Sequence, residues 1–463
     1  MFLSKSIQNL AETLDRTSNR QIYLALYAIS LALVLCTIAV FHLRSVPEAL
    51  EADEFEYWLL STDLLNGSFD ITPRRTIGFP ALLAGIRLIF DNFIFLQFAV
   101  GAIYALSGPA MFKLMKSLQV DNLPAVVASL CVVAWPASLF YGTSIYSETA
   151  GMPVFLFALA LLPSPWVVQS RRGRTLLLAF LSGLTMALAA HIRPMFLLFV
   201  PFVLPIVLIE DGLRRVAWSK LIMFLLGFAV LVLPWSVMMH SRFHQVIILS
   251  ANGGETLGGG LNPKLLEPAG QTIMSVPDRD IWIGPGKWLP HDETGYVTKE
   301  EKESLPYLEL DRRISERAMD WIKNHPVEVA QLEMYKLAYM WGIYPISKNP
   351  PMQIVFGNIP LLILLGLSLY LFLRQPQSRR RFFRLWVLAI YVSGVALISW
   401  GSWRFRQVGD AGLLAYCVAC GWSLYVAALA RKVGVADQPL VSQGGHPNSD
   451  HPESHPPCQK PAS

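Results

Sequence analysis

Apolar residues along this chain are gathered into runs long enough to cross about 30 Å of hydrocarbon as helix, in place of the short alternating patterns of a half-buried sheet. Ten such runs fall at approximately 21–43, 92–112, 124–141, 144–162, 175–190, 195–209, 219–239, 353–373, 383–400 and 411–430. Two of them, 175–190 and 195–209, are short, and His191, Arg193 and Pro194 between them mark either a tight hairpin or a break in one helix. We expect the hairpin, because ten spans then agree with the charge pattern. The stretches from Tyr57 to Leu65 and from Phe79 to Phe90 are apolar on one side but too short to cross, and are expected to lie along the interface.

Lys and Arg concentrate in every second connection. They stand at Lys5, Arg16 and Arg20, Lys113 and Lys116, Arg171 to Arg174, Arg214 to Lys220, Arg374 to Arg384, and Arg431 with Lys432. By the positive-inside rule these ends and both termini are cytoplasmic. Segment 240–345 carries 11 Lys and Arg against 15 Asp and Glu, which suits an exterior domain. The expected organisation is a cytoplasmic N-terminus at 1–20, a transmembrane module at 21–239 with its first exterior loop at 44–91, an exterior loop domain at 240–350, C-terminal transmembrane helices at 351–432, and a disordered cytoplasmic tail at 433–463. The run at 21–43 is too long for the apolar part of a signal peptide and is read as the first span.

Composition narrows the class. Hydrophobic residues make up 53% of the chain and charged residues 15%, against about 25% charged in soluble domains. The net charge of +5 comes from the orienting clusters, so no nucleic-acid partner is expected. Cys36, Cys131, Cys417 and Cys420 lie in apolar runs and Cys458 in the tail, so no disulfide framework is expected, and the Cys417–Cys420 spacing is read as packing.

The polar chemistry gathers on the exterior side. Glu51-Ala52-Asp53-Glu54-Phe55-Glu56-Tyr57-Trp58 follows the first span. An acidic pair on an interfacial helix is held at fixed depth, as a catalytic base acting on a membrane-borne substrate requires. Arg74 and Arg75 precede Gly78-Phe79-Pro80, and guanidinium groups suit phosphate because they stay charged and bind two oxygens at once. Tyr146-Ser147-Glu148, His191-Ile192-Arg193-Pro194 and Trp403-Arg404-Phe405-Arg406-Gln407 open or close other runs on the same face. His240 and His244, four apart, could share a helical face as metal ligands, and Trp282, Trp288 and Trp321 are candidate sugar-stacking rings. Segment 240–350 is expected to hold helices near Leu308–Lys323 and from Pro326 toward Trp341, capping the site.

These motifs, in this order, resemble the GT-C superfamily of membrane glycosyltransferases, and within it glycosyltransferase family 39, the bacterial relatives of protein O-mannosyltransferases and lipid A aminoarabinose transferases. The resemblance rests on Asp53-Glu54 with Tyr57, Arg75-x-x-Gly78-Phe79-Pro80, Trp135-Pro136 leading to Tyr146-Ser147-Glu148, Arg193-Pro194 and Arg404-Phe405-Arg406, with the glycine- and asparagine-rich loops at Ser250 to Gly254 and Gly259 to Pro263. It implies an all-α polytopic GT-C fold with about ten transmembrane helices, interfacial helices and an exterior loop domain. It also implies an inner-membrane enzyme with a periplasmic site, a polyprenyl-phosphate sugar donor, inverting transfer, and a lipid, glycan or protein acceptor.

Carried onto this chain, the resemblance makes Asp53 the general base, with Glu54 orienting it or sharing a divalent Mg or Mn with it. Arg404, with Arg406, Arg193, Arg74 and Arg75, would hold the donor phosphate, and Tyr57, Tyr146, Glu148 and Asn252 would line the substrate. No organic cofactor is implied. A transporter or flippase for lipid-linked glycans is the alternative, and would carry charges along its spans or broken helices near mid-membrane.

Overall fold

The protein, seen as a computed structural model, is described over residues 2–50, 52–68, 72–166, 172–266, 294–343 and 358–432. The expected tail at 433–463 and the candidates Trp282, Trp288 and Cys458 lie outside the described residues. The chain divides into Met1–Gly421, which holds the bundle and the site, and Trp422–Ser463.

Every described element is helical. α1 (Phe2–Arg16) is amphipathic, and a Ser18 capping box with Gln21 starts α2 (Asn19–Thr37), whose last turn widens into a π segment to His42. Two short helices follow, α3 (Ala52–Leu65) and α4 (Gly78–Ile89). Next come α5 (Phe93–Tyr104), α6 (Ser107–Ser117), α7 (Asn122–Ala134), α8 (Pro136–Gly142) and α9 (Ser147–Leu161). The long helices α10 (Arg172–Ile192) and α12 (Arg215–Phe243), with α11 (Val200–Asp211) between them, close the N-terminal module.

The segment beyond α12 folds as α13 (Gly253–Gly260), α14 (Lys299–Ser304), α15 (Tyr307–Asn324) and α16 (Pro326–Met340), the last two within a residue of the expected helices. The chain then returns through α17 (Ile359–Arg374), α18 (Pro376–Ile398) and α19 (Trp403–Lys432).

Among the described residues seven helices are long and apolar enough to span a membrane, or eight if the bent pair α7–α8 is one span, which corrects the expected ten. The pair bends by 60° at Trp135, whose extended backbone is what a following proline imposes. The run at 144–162 becomes the 15-residue α9, about 23 Å long at 1.5 Å per residue. The run at 353–373 contributes only the 16 residues of α17 to the described chain. At 191–194 the chain breaks at Arg193, and Arg172–Ile192 and Pro194–Asp211 are each long and apolar enough to span separately.

The two ends of the bundle differ in chemistry. At one end the basic clusters serve as helix caps: Arg380 donates to the carbonyls of Ile209 and Glu210, Arg381 to those of Leu118 and Gln119, and Arg384 to those of Leu159 and Leu162. Cations there oppose the negative ends of α6, α9 and α11. Arg384 also pairs with Glu210 at 2.6 Å and Lys220 with Asp211 at 2.8 Å, all four buried, so the charges are compensated where water is excluded.

The opposite end carries α3 and α4. Leu50, Tyr57, Phe79, Leu83, Phe93 and Ile192 form a separate small core that seats them on α5 and α10. Arg87 ties the two together, donating to the Ser61 and Thr62 hydroxyls at 2.8 Å and lying 3.7 Å above the Trp58 ring. Gly78 starts α4 where a Cβ would stand 2.4 Å from the His191 carbonyl, so the chain after Arg75 can be laid against the end of α10, next to Arg193.

Candidate active site

Asp53 sits in the first turn of α3, where the helix N-terminus favours an anion. Its two carboxylate oxygens go to different arginines: Oδ1 accepts from Arg75 Nη2 at 2.5 Å and Oδ2 from Arg404 Nη1 at 2.6 Å. Arg404 comes from the start of α19 and forks onto a second carboxylate, donating through Nε and Nη2 to Glu148 in the first turn of α9. Glu148 is buried and shared with the buried Arg193, which follows α10. Tyr146 lies beneath the Arg404 guanidinium, 4.1 Å from ring centroid to Cζ. Three helices, α3, α9 and α19, and the connections before α4 and after α10 therefore converge on a chain of alternating charge, Arg75–Asp53–Arg404–Glu148–Arg193.

A second ladder leads out to α13. Glu56 accepts from Arg75 and from Arg74 Nη1 at 3.0 Å, and Arg74 in turn grips Glu255 through Nε and Nη2 at 3.0 and 2.8 Å. The Glu255 carboxylate also accepts from Tyr307, while Asp311 caps the start of α13 by accepting from the backbone N–H of Gly254 and Glu255. A Cβ on Gly254 would fall 1.9 Å from the Asp311 carbonyl, so α13 and α15 approach closely only because that position is glycine.

Burial by itself would favour the neutral Asp53 acid, yet the Arg75 and Arg404 guanidiniums outweigh it and hold the carboxyl well below the ordinary carboxylate range. Arg75 is correspondingly pushed above its usual value: burial opposes its charge, and Tyr57, Asp53 and Glu56 more than restore it.

Several expected site residues are placed elsewhere. Glu54 turns away from Asp53 and is buried, accepting from Arg44 at 2.5 Å and from the Ile145 backbone N–H at 2.9 Å, so it fastens α3 to the loop before α9. Arg406 points into the bundle against Asp410 at 2.8 Å and the Met340 carbonyl, and Trp135 donates to the same aspartate. Tyr57 is buried, hydrogen-bonded to Ser147 and packed edge-on to Phe79, so it supports the site from below. Asn252 accepts from Ser250 at the entry to α13, one turn from Glu255.

A metal shared by Asp53 and Glu54 does not fit this arrangement. Both Asp53 oxygens already face guanidiniums, and Glu54 faces away, so a divalent cation would have to displace Arg75 or Arg404. Among the described residues no three His, Cys, Asp or Glu side chains are grouped to hold a metal. His244 lies beyond the end of α12 in a left-handed conformation, off the helical face expected to pair it with His240. Trp321 stacks on His325, with centroids 5.6 Å apart, and packs among Leu257 and Leu261.

No family model and no curated protein matches the chain. Solved structures of an archaeal oligosaccharyltransferase from Archaeoglobus fulgidus overlay on most of it. One, AglB in complex with an inhibitory peptide and a dolichol-phosphate, has a TM-score of 0.46 at 13% identity over 89% of this chain. A form tethered to an acceptor peptide overlays at 0.45 and 13% identity over 90%, and a complex with Zn and sulfate at 0.47 and 13% over 89%. The chain spans about half the length of these proteins, 50 to 51% of each. Overlap of this degree assigns no activity or substrate.

Glu56 and Glu255 carry the arginine ladder, and the sequence reading did not single them out as site residues. Glu56 stood inside the acidic stretch, three residues after Asp53 and so on the same helical face. Glu255 followed the glycine pair at 253–254, a neighbourhood read for its loop composition alone.

Proposed function

We propose that this protein is an inverting glycosyltransferase that moves a sugar from a polyprenyl-phosphate-linked donor to an acceptor hydroxyl on the exterior face of a bacterial plasma membrane. The observation that carries the reading is the Asp53 carboxylate set between Arg75 and Arg404, at the bundle end opposite the basic helix caps. With those caps cytoplasmic, the site is exterior, at the depth where a lipid phosphate meets water.

Arg404, supported by Arg193, holds the donor phosphate. The acceptor hydroxyl gives its proton to Asp53, its oxygen bonds to the anomeric carbon, and the bond from that carbon to the phosphate oxygen breaks with its electron pair leaving on the phosphate. Attack opposite the leaving group inverts the centre. The guanidiniums neutralise the charge that grows on polyprenyl phosphate.

In the resting pair Asp53 is a weak base, because two cations hold its proton affinity down. A donor phosphate that engages Arg404 competes for one of those cations and raises the proton affinity of Asp53 when a substrate is present. The Arg74–Glu255 bridge ties the exterior segment to the same site, where it would cover the acceptor.

Among the described residues, the bent pair α7–α8 and the buried Arg406–Asp410 pair within the span-length helix α19 are features a transporter would share. A panel of defined polyprenyl-phosphate sugars, tested with purified protein for transfer or slow hydrolysis and in liposomes for translocation, separates the two readings. Transfer that Asp53→Asn abolishes supports the enzyme; translocation with no transfer from any donor rejects it.

A further inference from the structure

Gln407 lies one turn along α19 from Arg404, so the two side chains share a helical face. It is 3% exposed, and neither its amide nitrogen nor its amide oxygen has a hydrogen-bond partner among the described residues. Almost every other polar group around it is engaged: Arg404 and Arg193 on Glu148, Arg406 on Asp410, Trp135 on Asp410. Burying both ends of an amide without partners is costly, and such groups are rare unless a missing partner completes them.

The amide lines a small cleft, with little more than the room of one water-sized group, whose other lining residues include the charged Arg404, Glu148 and Arg193 and the apolar Met152, Phe196 and Val408. The charged groups there are mutually neutralised. What the apolar lining leaves unmet is an amide with N–H donors and an acceptor oxygen side by side, and an uncharged hydroxyl offers an acceptor and a donor that meet one of each. A phosphate oxygen would accept from the amide nitrogen and leave the carbonyl oxygen unpaired.

Resting on the glycosyltransferase reading, we propose that Gln407 is a specificity-determining residue that hydrogen-bonds, as donor and acceptor, to one ring hydroxyl of the donor sugar while Arg404 and Arg193 hold the adjoining phosphate. Discrimination follows from the cost of leaving the buried amide unpaired: a donor lacking that hydroxyl restores the orphaned state. Three residues of helix rise about 4.5 Å, which sets the amide one sugar substituent away from the phosphate-binding guanidinium.

The test uses full-length protein in detergent, with short-chain polyprenyl phosphate, the polyprenyl-phosphate hexose the wild type uses, and its monodeoxy analogues as probes. Gln407→Met is expected to bind polyprenyl phosphate as the wild type does and to raise KM for the sugar-bearing donor tenfold or more. It should also lose the wild type's preference for the parent sugar over one of the deoxy analogues, and melt at the same temperature or a few degrees higher. A residue with a purely structural role would instead lower the melting temperature and leave the deoxy preference intact. Gln407→Asn, which keeps the amide one methylene short, is the second variant and should retain part of the preference.

Equal weakening of bare polyprenyl phosphate and sugar-bearing donor would place the amide on the phosphate and overturn the proposal. Unchanged KM and unchanged deoxy preference would mean that a bound water completes the amide, and would overturn it too. If wild type uses no sugar donor and Arg404→Ala still binds polyprenyl phosphate normally, the glycosyltransferase reading itself has failed, a result separate from either of these.

Discussion

Asp53 and Arg404 stand 351 residues apart in the chain and 2.6 Å apart in the fold. The first turn of α3 and the opening of the last helix thus meet at one carboxylate, and Arg404 also donates through Nε and Nη2 to Glu148. The contact can form only after α3 and α19 are both in place, so it reports the assembled bundle.

Replacing Asp53 by Asn is expected to lower kcat for transfer by about a hundredfold or more while leaving a folded protein. The variant also leaves Arg75 and Arg404 facing each other without the anion between them. Because the folded-state value of Asp53 is depressed, its pairing contributes stability above the unfolded carboxyl value of about 3.9, and that contribution is lost as pH falls below it. The difference in melting temperature between wild type and Asp53→Asn should therefore shrink from about pH 7 to about pH 3, since the other carboxylates titrate alike in both proteins. A difference that stays constant would mean that Asp53 is not paired in solution.

Arg404→Lys keeps the charge and loses the planar fork that reaches Asp53 and Glu148 together. We expect kcat to fall by roughly a hundredfold, with a smaller change in KM, because the phosphate gains its charge in the transition state. Steady-state kinetics on the preferred donor decides this; activity within about threefold of wild type would make the fork dispensable.

Glu54→Gln separates the two halves of the acidic pair. The amide oxygen still accepts from the Ile145 N–H, but the ion pair with Arg44 is gone. A loss of about 1–3 kcal/mol in stability with kcat nearly unchanged is the expected result, measured by thermal unfolding beside activity. A hundredfold fall in kcat at unchanged stability would return Glu54 to the chemistry.

The crossing of α10 and α12 depends on two reciprocal glycines. A Cβ on Gly183 would stand 1.9 Å from the Phe224 carbonyl, and one on Gly227 2.0 Å from that of Phe180. Small residues here let the two backbones touch. Gly183→Val should destabilise the bundle by at least about 2 kcal/mol, whereas Gly85→Ala, with open space around it, should be neutral or slightly stabilising. Melting temperatures of the two variants in one detergent test the contrast.

The sequence by itself determined that the chain is a helical membrane protein, and where its polar chemistry falls along it, because hydrocarbon thickness and the cost of burying charge act on local composition. It placed α15 and α16 to within a residue and singled out Asp53, Arg75, Glu148, Arg193 and Arg404, which the fold joins in one chain of ion pairs. Only the tertiary structure decided which neighbours in a motif face which way. Asp53 and Glu54, or Arg404 and Arg406, are one and two residues apart, and helical rotation of about 100° per residue sends each pair in different directions. The partners that make those directions meaningful, Arg44 and Asp410 among them, come from packing that no local pattern encodes. The number of span-length helices likewise departed from the expected ten because the fold ends or bends helices inside apolar runs, as at the 60° break between α7 and α8 and at the 15-residue α9.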